Sequence, residues 1–115
     1  MEKVALFVFN GDSMCFIHVL LNALEMAAQG KKVQIVIEGA STKLLPDLAR
    51  MENPLHRLWG KVKEKELVAG VCKACSNKTG TLESAKEQKL SLLDEMQGHP
   101  SIERYHDEGY NIITF

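Results

Sequence analysis

Two rhythms of apolar residues run along this chain. The first is the short unbroken run. Val4-Ala5-Leu6-Phe7-Val8-Phe9 is continuous, β-branched and aromatic, the pattern of a strand buried on both faces of a parallel sheet. Val33 to Ile37 repeats it, Leu67 to Val71 predicts a third strand, Leu90 to Leu93 a fourth and Tyr110 to Phe115 a fifth. The second rhythm is helical. Asn10-Gly11-Asp12 turns the chain, and Asp12 or Ser13 can cap a helix that runs to about Gln29, with Gly30 in the position that ends it. Ser41 or Thr42 opens a short helical stretch containing Pro46 and Asp47. Asn53-Pro54 marks a further start, after which Leu55, Leu58, Trp59 and Val62 share one face and Arg57, Lys61 and Glu64 point away. Thr81 caps a short helix carrying Leu82 and Ala85, and Pro100 to Glu108 predicts another, stopped by Gly109. Cys72 to Gly80 reads as a polar loop.

Strands alternating with helices predict an α/β fold, a three-layer α/β/α sandwich with a mainly parallel sheet of about five strands. Residues 1–115 are expected to form one domain. In such sheets ligands gather outside the carboxyl ends of the strands. That edge should carry Asn10 to Ser13, Glu38 to Ser41 and Cys72 to Gly80.

Composition narrows the function. The chain has 115 residues, with 14 Lys+Arg against 15 Asp+Glu and a formal net charge of −1. That balance argues against nucleic acid and against anionic membrane surfaces, whose binders are usually strongly basic. The first apolar run is too short for a secretory signal, and no stretch reaches the ~20 apolar residues a membrane span needs. Three cysteines are an odd number, unlike a paired disulfide scaffold. A cytoplasmic location with reduced thiols is expected.

The most informative stretch is Val71-Cys72-Lys73-Ala74-Cys75-Ser76-Asn77-Lys78-Thr79-Gly80. A cysteine leaving the end of a buried strand can meet backbone N–H groups, and Lys73 and Lys78 nearby would favour the nucleophilic thiolate. The alternative is that both cysteines are small buried hydrophobes. A thioredoxin-like dithiol needs a helix after its first cysteine, and Ser76 to Gly80 is expected to interrupt one. A structural zinc site usually needs two ligand pairs. This chain has one pair, with Cys15, His18, His56, His99 and His106 as possible additions.

This stretch resembles the DsrE/DsrF-like family, also called YchN-like, which includes the TusD sulfur-relay subunit. Cys72, Ala74, Lys78 and Gly80 sit in the family's cysteine pattern at the end of the third strand, and the likeness extends over nearly the whole chain to the terminal Ile113-Thr114-Phe115. The resemblance implies a small sulfur-handling carrier that accepts sulfane sulfur as a persulfide on Cys72 and passes it to a partner protein. It also implies sulfur donor and acceptor proteins as partners, and a homotrimer or homohexamer. Cys75 departs from the pattern. It would be a second thiol that resolves a Cys72 persulfide or helps to hold a metal. The candidate site is therefore Cys72 and Cys75 as the reacting pair, with Asn10, Glu38, Lys73 and Lys78 around the substrate. No cofactor and no metal site is assigned. The other reading is a homo-oligomeric metal- or ligand-binding module that uses Cys72 and Cys75 without transferring sulfur.

Three secondary features stand out. The first helix carries a polar stripe of His18, Asn22, Glu25 and Gln29 and an apolar surface wider than one sheet contact requires, which favours a subunit interface. Cys15, in its first turn, would approach Cys72 if the first and third strands were neighbours. His56, His99 and His106 are expected at the surface.

Overall fold

In a computed structural model that describes residues 1–115, five parallel strands form one sheet in the order β4-β3-β2-β1-β5. They are β1 (Lys3–Val8), β2 (Lys32–Ile37), β3 (Val68–Cys72), β4 (Leu92–Leu93) and β5 (Asn111–Thr114). The most apolar strand is β1, which lies inside the sheet between β2 and β5, with Ala5 to Val8 fully buried. Pairing alone places it there, because a strand buried on both faces cannot lie at a wet edge.

Alternation along the strands divides the core in two. Val4, Leu6 and Val8 of β1 and Val33, Ile35 and Ile37 of β2 face α1 (Ser13–Ala28) and α3 (His56–Glu64). Phe16, Val19, Leu20 and Ala23 of α1 meet Trp59 and Val62 of α3 on this side, with Phe16 and Trp59 rings 6.1 Å apart. The Trp59 indole N–H donates to Gln88 Oε1 at 2.8 Å, so the buried ring keeps its polar atom satisfied. Ala5, Phe7 and Val36 face the other way, onto Tyr105 of α6 (Ile102–Asp107) and Tyr110. Edge-on contacts of 5.5 Å, from Phe7 to Tyr105 and from Tyr105 to Tyr110, hold this short helix in place. The three layers are unequal, with several helices on one face and α6 on the other.

The chain between β2 and β3 begins with a 3-10 turn (Gly39–Leu44) and α2 (Leu45–Leu48). The start expected at Asn53-Pro54 comes later, at His56. Asn53 Oδ1 accepts the Leu55 N–H at 2.8 Å, which forms a side-chain turn in place of a first helical turn.

A larger correction concerns Cys72 to Gly80. The expected polar loop is α4 (Lys73–Thr79), followed by α5 (Leu82–Glu87). Cys72 itself caps α4, with its sulfur accepting the Cys75 N–H, and Gly80 closes it at a φ of 75° that only glycine adopts without strain. Ser76 and Asn77 have weak helix propensity, but these caps and the packing of α4 on the 3-10 turn outweigh it.

The strand order also keeps apart two cysteines that would approach each other only if β1 and β3 were neighbours. β2 lies between β1 and β3, so Cys15, in the first turn of α1, stands apart from Cys72. Close packing at the other edge depends on Gly70, where a Cβ would come within 2.6 Å of the Ser91 carbonyl oxygen. That space lets β4 lie against β3, pairing Cys72 with Leu93.

Candidate functional site

Every strand points the same way, so the loops after β2, β3 and β4 meet at one edge. Cys72 ends β3 there and is fully buried. Its sulfur is the N-cap acceptor of α4, 3.2 Å from the Cys75 amide nitrogen. One turn on, Cys75 is partly exposed. Beneath the helix, the Thr42 hydroxyl is 2.9 Å from Thr79 Oγ1, and Thr79 Oγ1 is 3.0 Å from Thr81 Oγ1. These hydroxyls tie α4 to the 3-10 turn and fix where the two sulfurs lie.

The third member of the site is His99, which the sequence placed at the surface. Its Nδ1 is 3.2 Å from Cys72 Sγ and 3.7 Å from Cys75 Sγ. The segment after β4 delivers it through a tight turn. Met96 and His99 exchange both backbone hydrogen bonds, at 2.8 and 3.0 Å, across Gln97 and Gly98, whose φ values are 49° and 91°. The Gly98 carbonyl then accepts the Ala74 N–H at 2.8 Å, clipping this turn to the start of α4. Outside it, Arg104 and the Ser101 N–H both bind Glu95 Oε1, at 3.4 and 3.2 Å. A signal for His99 was present in the sequence. Gln97-Gly98 is turn chemistry directly after the fourth strand, and in an all-parallel sheet that turn must fall at the edge that carries Cys72.

The electrostatics differ from those expected. Burial pushes the Cys72 thiol up to about 12, aided by the Cys75 side chain and the charge of Glu38 and opposed by the Cys75 N–H. The flanking lysines do not offset this. Lys73 reaches across to Asp94 at 3.8 Å, and Lys78 is exposed in the last turn of α4. Cys72 is therefore a neutral thiol at rest, and a thiolate would form only as a neighbouring base takes its proton. His99 Nδ1 is in place for that.

Glu38, at the end of β2, is 7% exposed, and burial together with the Glu95 carboxylate raises its pKa to about 7. With Phe9, Met96, Pro100 and Ile102 it lines a hollow of ≈ 330 Å³ beside the turn that carries His99. Asn10 is exposed, and its side chain accepts the Asp12 N–H at 2.8 Å, shaping the turn into α1. His56 and His106 take no part. His56 Nδ1 is bonded to the Leu48 carbonyl, and His106 pairs with Glu103.

The ligating atoms of Cys72, Cys75 and His99 lie within 4.8 Å of one another. Two sulfurs and an imidazole nitrogen form a donor set suited to zinc or a softer ion, as well as to thiol chemistry.

A profile of the DsrE/DsrF-like family matches residues 3–115. The chain belongs to that family. An uncharacterized protein of Methanocaldococcus jannaschii is 35% identical over 117 residues, covering 96% of this chain and 93% of that protein. A shorter match, 39% identical over 41 residues, links 36% of this chain to 67% of an uncharacterized protein of Archaeoglobus fulgidus. Among solved structures, a conserved protein of unknown function from Bacteroides thetaiotaomicron superposes with a TM-score of 0.75 at 15% identity, covering 99% of this chain and 95% of that one. At that identity the likeness shows the shared fold. The DsrE/DsrF-like family is generally associated with sulfur relay. No helix of this member is long and apolar enough to cross a membrane.

Proposed function

We propose that this DsrE/DsrF-like protein is a sulfane-sulfur carrier that holds sulfur as a persulfide on Cys72 and passes it to a partner protein. The observation that carries this reading is the 3.2 Å contact between Cys72 Sγ and His99 Nδ1. A buried thiol with a raised pKa is inert alone, and an imidazole at hydrogen-bond distance makes it a nucleophile on demand. Burial also suits a carrier, because a persulfide kept from solvent is protected from stray thiols. Cys75 is the second thiol of the site. Glu38 and Asn10 stand at the same sheet edge, and Lys73 and Lys78 on the outer side of α4 offer positive charge to an approaching partner. In this reading the protein works in the cytoplasm between a donor and an acceptor protein as a sulfurtransferase-like carrier. It assembles as a homotrimer or homohexamer, with Met14 and Leu21, 76% and 46% exposed on α1, at the interface.

Loading and discharge test the reading together. Reduced, metal-free protein is treated with a small-molecule persulfide, desalted and offered an acceptor thiol. Intact mass should show one added sulfur, which disappears as the acceptor gains it. Protein that never gains sulfur, or that carries a stoichiometric metal when purified without chelator, would contradict the carrier reading.

A further inference from the structure

The two thiols differ in access. Cys72 is fully buried, whereas Cys75, one helical turn later, is partly open to solvent. One imidazole nitrogen serves both, His99 Nδ1 lying 3.2 Å from the inner sulfur and 3.7 Å from the outer one. A donor carrying sulfane sulfur can reach the outer thiol directly. It reaches the inner one only by displacing either α4 or the Met96–His99 turn, which the Gly98 carbonyl holds together. From these placements we infer that sulfur enters at Cys75 and is handed inward to Cys72, with His99 carrying the proton in each step. This deepens the carrier reading and rests on it.

The chemistry balances without an outside oxidant or reductant. In the first step Cys75 gives its proton to His99 Nδ1, and its sulfur attacks the outer sulfur of a donor persulfide, R–S–SH. The donor S–S bond breaks, R–S⁻ takes the proton from His99 and leaves as R–SH, and Cys75 holds the persulfide. In the second step Cys72 gives its proton to the same nitrogen and attacks the outer sulfur of the Cys75 persulfide. That S–S bond breaks, a new one forms on Cys72, and Cys75 recovers a proton from His99. The transferred sulfur keeps its oxidation state throughout. Attack on the inner sulfur would instead form a Cys72–Cys75 disulfide and release hydrogen sulfide, which then needs a reductant to reset.

The sequence makes the two steps separable. Lys73 lies between the cysteines, so trypsin places Cys72 and Cys75 on different peptides. Full-length reduced protein is mixed with cysteine persulfide, quenched at intervals with an alkylating agent, digested and mapped. In the wild type the Cys75 persulfide should rise first and decline as the Cys72 persulfide grows. Cys72→Ser should accumulate sulfur on Cys75. Cys75→Ser should load Cys72 roughly tenfold more slowly or worse, because access limits thiol exchange. Cys75→Ala, checked by thermal melting beside the serine variant, separates a lost entry thiol from a damaged fold. Wild-type loading rates in both Cys75 variants, no sulfur on Cys72→Ser, or a disulfide with sulfide release would overturn the inward transfer. A wild type that gains sulfur on neither cysteine would overturn the carrier reading itself.

Discussion

At Cys72, burial and reactivity pull in opposite directions, and the neighbours decide between them. Burial raises the thiol to about 12, the Cys75 side chain and Glu38 add to it and the Cys75 N–H opposes it, so the resting charge is zero. Only His99 is positioned to reverse that. Replacing His99 with Gln should slow sulfur loading or alkylation at Cys72 by about 10²-fold, the usual scale for a lost general base. Glu38 acts the other way. Ionised above its pKa of about 7, it raises Cys72, so Glu38→Gln should speed loading at pH 8 by roughly two- to fivefold and leave pH 5.5 little changed. The same residue makes a stability prediction. A carboxyl whose pKa is raised on folding binds its proton more tightly in the native state. Its contribution is therefore full below the unfolded value near 4.5 and declines as pH rises to about 7. Thermal melts of the wild type should show this decline, and Glu38→Gln should remove it.

Between residues and the whole stands the Met96–His99 turn, which decides whether His99 reaches the sulfurs. Gly98 has a φ of 91°, and a Cβ there would lie 3.1 Å from the Ala74 Cβ. Gly98→Ala should cost roughly 1–3 kcal/mol in a denaturant melt, the scale for a strained left-handed residue, and should lower Cys72 loading as His99 is pushed away. Equal loading with lower stability would show that the turn supports the fold alone. How much could be read from the sequence also divides by element. The apolar runs of β1 and β2 and the capped α1 were legible because pattern, caps and turns agree there. The helix after Cys72 was not, because its cap is a cysteine sulfur, an acceptor that no propensity scale counts. His99 was missed for a related reason. A histidine in a turn carries no periodic signal, and its place beside Cys72 follows only once β4 is known to pair with β3.

The parallel sheet is what makes the site possible at the scale of the molecule. Its order sets β3 between β2 and β4, so Glu38, Cys72 and His99 arrive at one edge from three separate loops. It also leaves Cys15 aside, and Cys15→Ser should load sulfur as the wild type does. The proposed assembly uses Met14 and Leu21, which α1 leaves exposed. Light scattering on the eluting protein should give a trimer or hexamer, and Leu21→Glu should shift it toward monomer, with Met14→Glu adding to the effect. A monomeric wild type would remove the interface from the account and leave the site intact. The central claim is narrower, that Cys72 holds the sulfur. The measurement that tests it most directly is peptide mapping of the wild-type protein after persulfide treatment, taken once loading has reached a plateau. One added sulfur is expected on the tryptic peptide that contains Cys72, with Cys75 returned to its thiol. Sulfur resting on Cys75 alone, or on no cysteine, would contradict it.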